Sequence, residues 1–182
     1  MKKVLFLIIA ITYSISSFSQ QQIALHSGVS ITLPAGAQKV TKNVALAQAK
    51  KIFIDTMAQN SITTPERSEN RKYFYTVHNI LIQFTGIDTT YDFEKDHIIK
   101  LKRVLDGIAK GGGYHISSIV KGNHNAAVVT RDKLGSTYII RFFCINDANT
   151  RQLGGSIKYN KEDEAEATTI LNNLLASIKF KD

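Results

Sequence analysis

The chain has 182 residues, a single cysteine, no tryptophan and a formal charge of +8. A lone cysteine excludes an intramolecular disulfide framework, and the length suits one domain able to bury roughly two-thirds of its unfolded surface without staples. The positive charge is not gathered into a long basic run, which argues against nucleic-acid binding.

Residues 1–19 read as a secretory signal peptide. Lys2 and Lys3 form a positive n-region, and Val4 to Ile11 form a short apolar core. Ser14, Ser16, Ser17 and Ser19 supply small residues beyond it, with Ser17 and Ser19 at the −3 and −1 positions of a cleavage site after Ser19. The apolar run is far short of the roughly 18 residues of a spanning helix. No cysteine near the site offers a lipid anchor, and no second run of spanning length follows. The leader resembles those of exported proteins of Gram-negative bacteria. The expectation is a secreted or periplasmic protein with one domain over residues 20–182 and no membrane span after cleavage.

Two short extended runs follow, interrupted at Ser27-Gly28 and closed by Pro34 and Gly36. Ala45, Ala49, Ile52, Phe53 and Met57 recur at helical spacing and predict a first helix. "SITTPERSEN" is a polar loop. "RKYFYTVHNILIQFTGID" is rich in aromatic and β-branched residues and predicts one long strand, or two with a bend near Asn79. Phe93, Ile98, Leu101, Leu105 and Ile108 predict a second helix, ended by Gly111 to Gly113. Its Lys95, Lys100, Lys102, Arg103 and Lys110 read as a solvated face, with Asp92, Glu94 and Asp96 near its start.

"YHISSIVK", "HNAAVVTRD", "STYIIRFFCIND" and "RQLGGSIKYN" are four strands separated by short turns. Short turns force an antiparallel meander. Gly122-Asn123 reads as a two-residue hairpin loop that would set Lys121 opposite His124 and His115 near Thr130. "YIIRFFCI" is apolar on both faces except at Arg141, as expected of a central strand covered on each side. Ala167, Ile170, Leu171, Leu174, Leu175 and Ile178 form the clearest helical stripe in the chain. Asn160 suits its N-cap. Asp163, three residues on, suits a capping box, so the acids of "NKEDEAEAT" mark a helix start rather than a metal site. The fold class is α+β: an antiparallel sheet of about six strands packed with three helices.

No motif declares a catalytic residue, a cofactor or a metal. His26, His78, His97, His115 and His124 form no HxH, HxxxH or HExxH pattern. In the predicted hairpin, His115 and His124 stand roughly 20 Å apart, too far to share a metal. "KGGGYH" follows a helix, so it presents the wrong dipole end to a phosphate. Neither GxSxG nor SxxK occurs. Cys144 lies in an apolar run and reads as a buried, inert thiol. "RKYFYTVH" interleaves bases with aromatics, and the expected binding surface comprises Arg71, Lys72, Tyr73, Tyr75 and Arg141.

The strand "VSITLPAG" near the start and the final "ILNNLLASIKF" carry a resemblance. Together with the order of elements, they resemble the α-β-α sandwich of the PsbP family of photosystem extrinsic proteins and the Ran-binding Mog family. The stretch covered is about Val29 to Phe180. The resemblance implies a non-enzymatic accessory or binding domain. The expected function is therefore an exported binding or accessory protein of the bacterial cell envelope, its partner an envelope protein or a small ligand. The alternative is a secreted hydrolase with a site around His78, His115 or Arg141.

Overall fold

The structure, a computed structural model, describes residues 21–25, 28–52, 72–86, 93–109, 115–122 and 124–181. The leader, the polar loop after the first helix, Arg71 and the glycines 111–113 lie outside the described residues.

Among the described residues, ten strands form two antiparallel sheets, more than the six expected. The larger sheet has the order β3(Gln38–Val40)-β4(Lys72–Val77)-β5(Ile80–Gly86)-β9(Gln152–Tyr159)-β8(Thr137–Asn146)-β7(Asn125–Leu134)-β6(His115–Lys121). The predicted meander is its β6 to β9 half. The aromatic run is two strands: Val77 pairs with Ile80 across a two-residue turn in which His78 takes a positive φ of 48°. The smaller sheet has the order β1(Gln21–Leu25)-β2(Val29–Leu33)-β10(Lys179–Phe180). Strands β3 and β10 have three and two residues, too few for a period-two pattern.

Helix α3 (Glu164–Ser177) and the small sheet cover one face of the large sheet. Ala167, Ile170, Leu171, Leu174 and Leu175 are buried there, with Ile31 and Leu33 of β2 and Phe84, Phe142 and Ile157 of the large sheet. Edge-on contacts link Tyr75, Phe84 and Phe142, with centroids 6.0 Å and 6.1 Å apart. Gly155 pairs with both Phe84 and Phe142, and its missing side chain is what the Phe142 ring occupies. Cys144 is fully buried in this core, and desolvation pushes its thiol up to about 12.

The other face carries two helices. Helix α1 (Lys42–Ile52) starts where Thr41 Oγ1 accepts from the Val44 N–H, and sets Ala45 and Ala49 on Phe74 and Leu81. Helix α2 (His97–Ala109) lies over β6 and β7. Its basic residues are partly paired within the helix region, Lys102 with Asp106 at 2.7 Å and Lys100 with Glu94 and Asp96.

Two local expectations are corrected. Lys121 pairs with Ala126 and His115 with Asp132, because Gly122 donates to Asn125 and the hairpin loop lies one residue later. The shift of two in the pairing keeps every side chain on its expected face. Asn160 precedes a 3-10 turn (Lys161–Asp163) and makes no side-chain cap, and neither does Asp163 at the start of α3. The backbone does this work instead: Asp163 N–H donates to Asn160 O at 3.0 Å. The acids do gather at the helix start, where Glu166 meets His78 Nδ1 at 2.9 Å.

Candidate functional site

Between α1 and α2 the central strands β5, β9 and β8 form a groove of about 250 Å³. Strand register writes its floor as three rows. The middle row is Gln83–Ser156–Arg141 and continues to Thr130 and Ser117. On one side runs Thr85–Gly154–Phe143, and on the other Leu81–Lys158–Ile139, which continues to Asp132 and His115. An antiparallel strand with one buried face turns its polar residues to the other, so the alternation that builds the core also builds this polar stripe. Gly154 leaves the floor low, with Phe143 as its nearest neighbour at 3.7 Å from the position of a Cβ. Strand β8 is thus central, yet its Arg141 face is a groove floor and not the fully covered surface expected.

Arg141 is held from the side. One nitrogen, Nη1, donates to Oδ2 of Asp132, which also accepts from Thr130 at 3.2 Å. The other oxygen of Asp132 meets Nδ1 of His115 at 2.6 Å, and His115 Nε2 faces Asp106 of α2 at 3.3 Å. Asp106 further accepts from Ser117 and from Lys102. Hydrogen bonds to Asp132, and secondarily Asp106, raise the His115 pKa above its ordinary value despite partial burial. Lys102 first, then Ser117, lower the Asp106 carboxyl to about 2.

This network sets serine, histidine and two aspartates together, but not as a nucleophile and its base. Ser117 Oγ donates to Asp106, and both His115 nitrogens face carboxylates. With a carboxylate at each ring nitrogen and Ser117 Oγ turned to Asp106, neither nitrogen of His115 faces the hydroxyl. Of the other residues named by the hydrolase alternative, His78 sits in the β4–β5 turn, remote from this network in the fold, beside Glu166.

Of the expected binding surface, Arg71 lies outside the described residues, and Tyr73, Tyr75 and Arg141 are placed as follows. Tyr75 is 4% exposed and packs in the core. Tyr73 is half-buried on that same sheet face, with Lys39 Nζ 5.8 Å from its ring centroid. Arg141 belongs to the opposite face, and Lys72 opens β4 opposite Thr85. Tyr73 and Tyr75 share one face of the sheet, and Arg141, three strands away on β8, lies on the other, so no one ligand meets all three. Gln83, Ser156 and Gly154, which lie beside Arg141, escaped the sequence reading. Their signal was a polar or small residue at alternate positions, Gln83 and Thr85 in β5 and Gln152, Gly154, Ser156 and Lys158 in β9.

A second depression of about 330 Å³ lies between the β6–β7 hairpin and the end of α3. Val120, Leu175 and Ile178 form its apolar walls, while His124 and Lys179 stand exposed at its rim. Asn125 and Asn172 also line the second depression, so polar groups reach both; the first is set apart by its continuous polar row across three strands. Among the described residues, no group of three or more His, Cys, Asp or Glu side chains is placed to hold a metal ion, and no helix is long and apolar enough to cross a membrane.

Helices on both faces of an antiparallel sheet, with a groove in the open strip between two of them, define an α+β sandwich of α-β-α type. Over 90% of its length, the chain is similar to a crystal structure from Bacteroides thetaiotaomicron, at 10% identity and a TM-score of 0.55. It spans about half of that protein, 49% of its chain. It is also similar to the Saccharomyces cerevisiae Ran-binding protein Mog1p, at 10% identity over 90% of this chain and 97% of that one, with a TM-score of 0.44. LpqN of Mycobacterium tuberculosis, described as involved in cell envelope biogenesis, is similar at 10% identity over 90% of this chain and 92% of that one, with a TM-score of 0.49. At such identity the first of these likenesses bears on the fold alone. No protein-family model and no curated protein matches the sequence.

Proposed function

We propose that the chain is an exported binding or accessory protein of the bacterial cell envelope, and that its ligand site is the groove over β5, β9 and β8. The observation that carries the reading is the polar row Gln83–Ser156–Arg141 laid across three strands on a floor lowered by Gly154. The leader of residues 1–19 supports export. The engagement of both His115 nitrogens favours binding over hydrolysis.

Two measurements test the reading. Expressed with its leader in a Gram-negative host, the chain should be recovered outside the cytoplasm with Gln20 as its first residue. Native mass spectrometry of the mature chain, equilibrated with an envelope extract, should then reveal a bound ligand that is lost in Gly154→Leu, whose side chain fills the groove. A ligand retained at full occupancy by a folded Gly154→Leu variant would place the site elsewhere.

A further inference from the structure

We infer that the groove takes a small molecule or chain end bearing a carboxylate, which the Arg141 guanidinium binds; this rests on the groove being the ligand site. Both charged residues that line it, Arg141 and Lys158, are cations, and no carboxylate lines it. Lys158 is buried, so its side chain does not reach outward to a ligand. Arg141 is different. Its side chain is 37% exposed, and Asp132 engages it through Nη1 alone. A guanidinium has five N–H donors in a planar fork, and a fork pinned at one arm presents the others in a fixed plane. Planar recognition of this kind suits a carboxylate, which accepts two parallel hydrogen bonds.

Asp132 is the positioning residue. It holds Arg141 against β7, and His115 and Thr130 hold Asp132 in turn. A ligand carboxylate at Arg141 then meets hydroxyl and amide groups along the row, with Ser156 one strand away and Gln83 about 10 Å from Arg141 at the usual strand spacing. Ile139 and Phe143 flank the row and supply apolar contact for a short body. The volume of about 250 Å³ lies below the roughly 300–1,000 Å³ of sites for drug-sized ligands, which limits the bound part to a few functional groups.

The probes are butyrate and benzoate, the matching neutral amides butyramide and benzamide, and an N-acetylated tripeptide with a free or an amidated C-terminus. Each is titrated into the isotope-labelled mature chain and followed by NMR. The acids should shift the backbone signals of Phe143, Gly154 and Ser156, and bind about 10- to 100-fold more tightly than their amides, the range for losing a charged hydrogen-bonding pair. Arg141→Gln should erase that preference, and Arg141→Lys should restore part of it. If the free-ended tripeptide binds more tightly than the free acids, the natural carboxylate is a peptide end; the reverse order assigns a free acid. Equal binding of acid and amide by the native chain overturns the inference, whatever the variants do. Neutral ligands that shift Gly154 and Ser156 with the same affinity as the acids would overturn the carboxylate alone. Shifts confined to other surfaces would overturn the groove as well.

Discussion

Nδ1 of His115 lies 2.6 Å from Oδ1 of Asp132, and the other oxygen of that carboxylate accepts from Arg141. One aspartate therefore joins an edge-strand histidine to a groove-floor arginine. Because His115 also faces Asp106, helix α2 is tied into the same chain of charges. The position of the groove's outward cation depends on groups that never line the groove.

Stability should depend on pH through this chain. The folded-state pKa of His115 is raised above 6.5, so its stabilising contribution is whole below about pH 6.5 and is lost as pH rises through the raised value. Asp106 has the opposite sign: its contribution is present above 3.8 and is lost as pH falls towards about 2. Urea midpoints of the native chain and His115→Gln should differ most at about pH 4 to 6.5 and converge as the medium becomes alkaline. A gap that widens above pH 7 would contradict the bridging role.

Adjacent glycines of β9 should respond differently to the same substitution. At Gly155 a methyl group collides with the Phe142 ring within the core, and Gly155→Ala should cost about 1–3 kcal/mol. At Gly154 a methyl group makes ordinary contact with Phe143, and Gly154→Ala should leave stability within about 0.5 kcal/mol of native. Chemical denaturation of the two variants side by side checks the contrast.

The Cys144 thiol should be silent in the folded protein. It is fully buried, and desolvation pushes its pKa to about 12, so almost no thiolate exists at neutral pH. An aromatic disulfide reagent should label it only as fast as the chain unfolds, and at once in 6 M guanidinium (about the level that unfolds most domains). Fast labelling in native buffer would show that the core opens without global unfolding.

Leu174 is fully buried where α3 meets the sheet. Leu174→Ala should destabilise by about 2–5 kcal/mol, the range for a leucine truncated in a close-packed core. Asn173→Ala, one residue earlier and exposed, should change the midpoint little.

Much of this fold is legible in the residues, and the reasons are specific. Ala167 to Leu175 mark α3 because one buried face leaves a 3.6-residue period. The β6 to β9 meander is legible because its turns carry Gly, Asn and Asp. Arg141 stands out as the lone charge in an apolar strand. The partners of Arg141 do not, since Ser156 and Gln83 resemble any outward-facing residues until register places them in one row. Tyr75 misled for a related reason. Phe74 and Tyr75 point to opposite faces of β4 and both are buried, so alternation could not tell which face was core.

Strand β2 pairs with β1 on one side and with Lys179–Phe180 on the other, and Lys181 N–H donates to Gly28 O at 2.7 Å. Ser177 adds a hydroxyl contact to the Thr32 backbone. Residues made first therefore wait for residues made last. While the chain is still being synthesised, β2 lacks one neighbour and α3, its cover over the large sheet, does not yet exist. The small sheet closes only once Lys179–Phe180 have reached β2, which makes its formation a late, long-range step of folding.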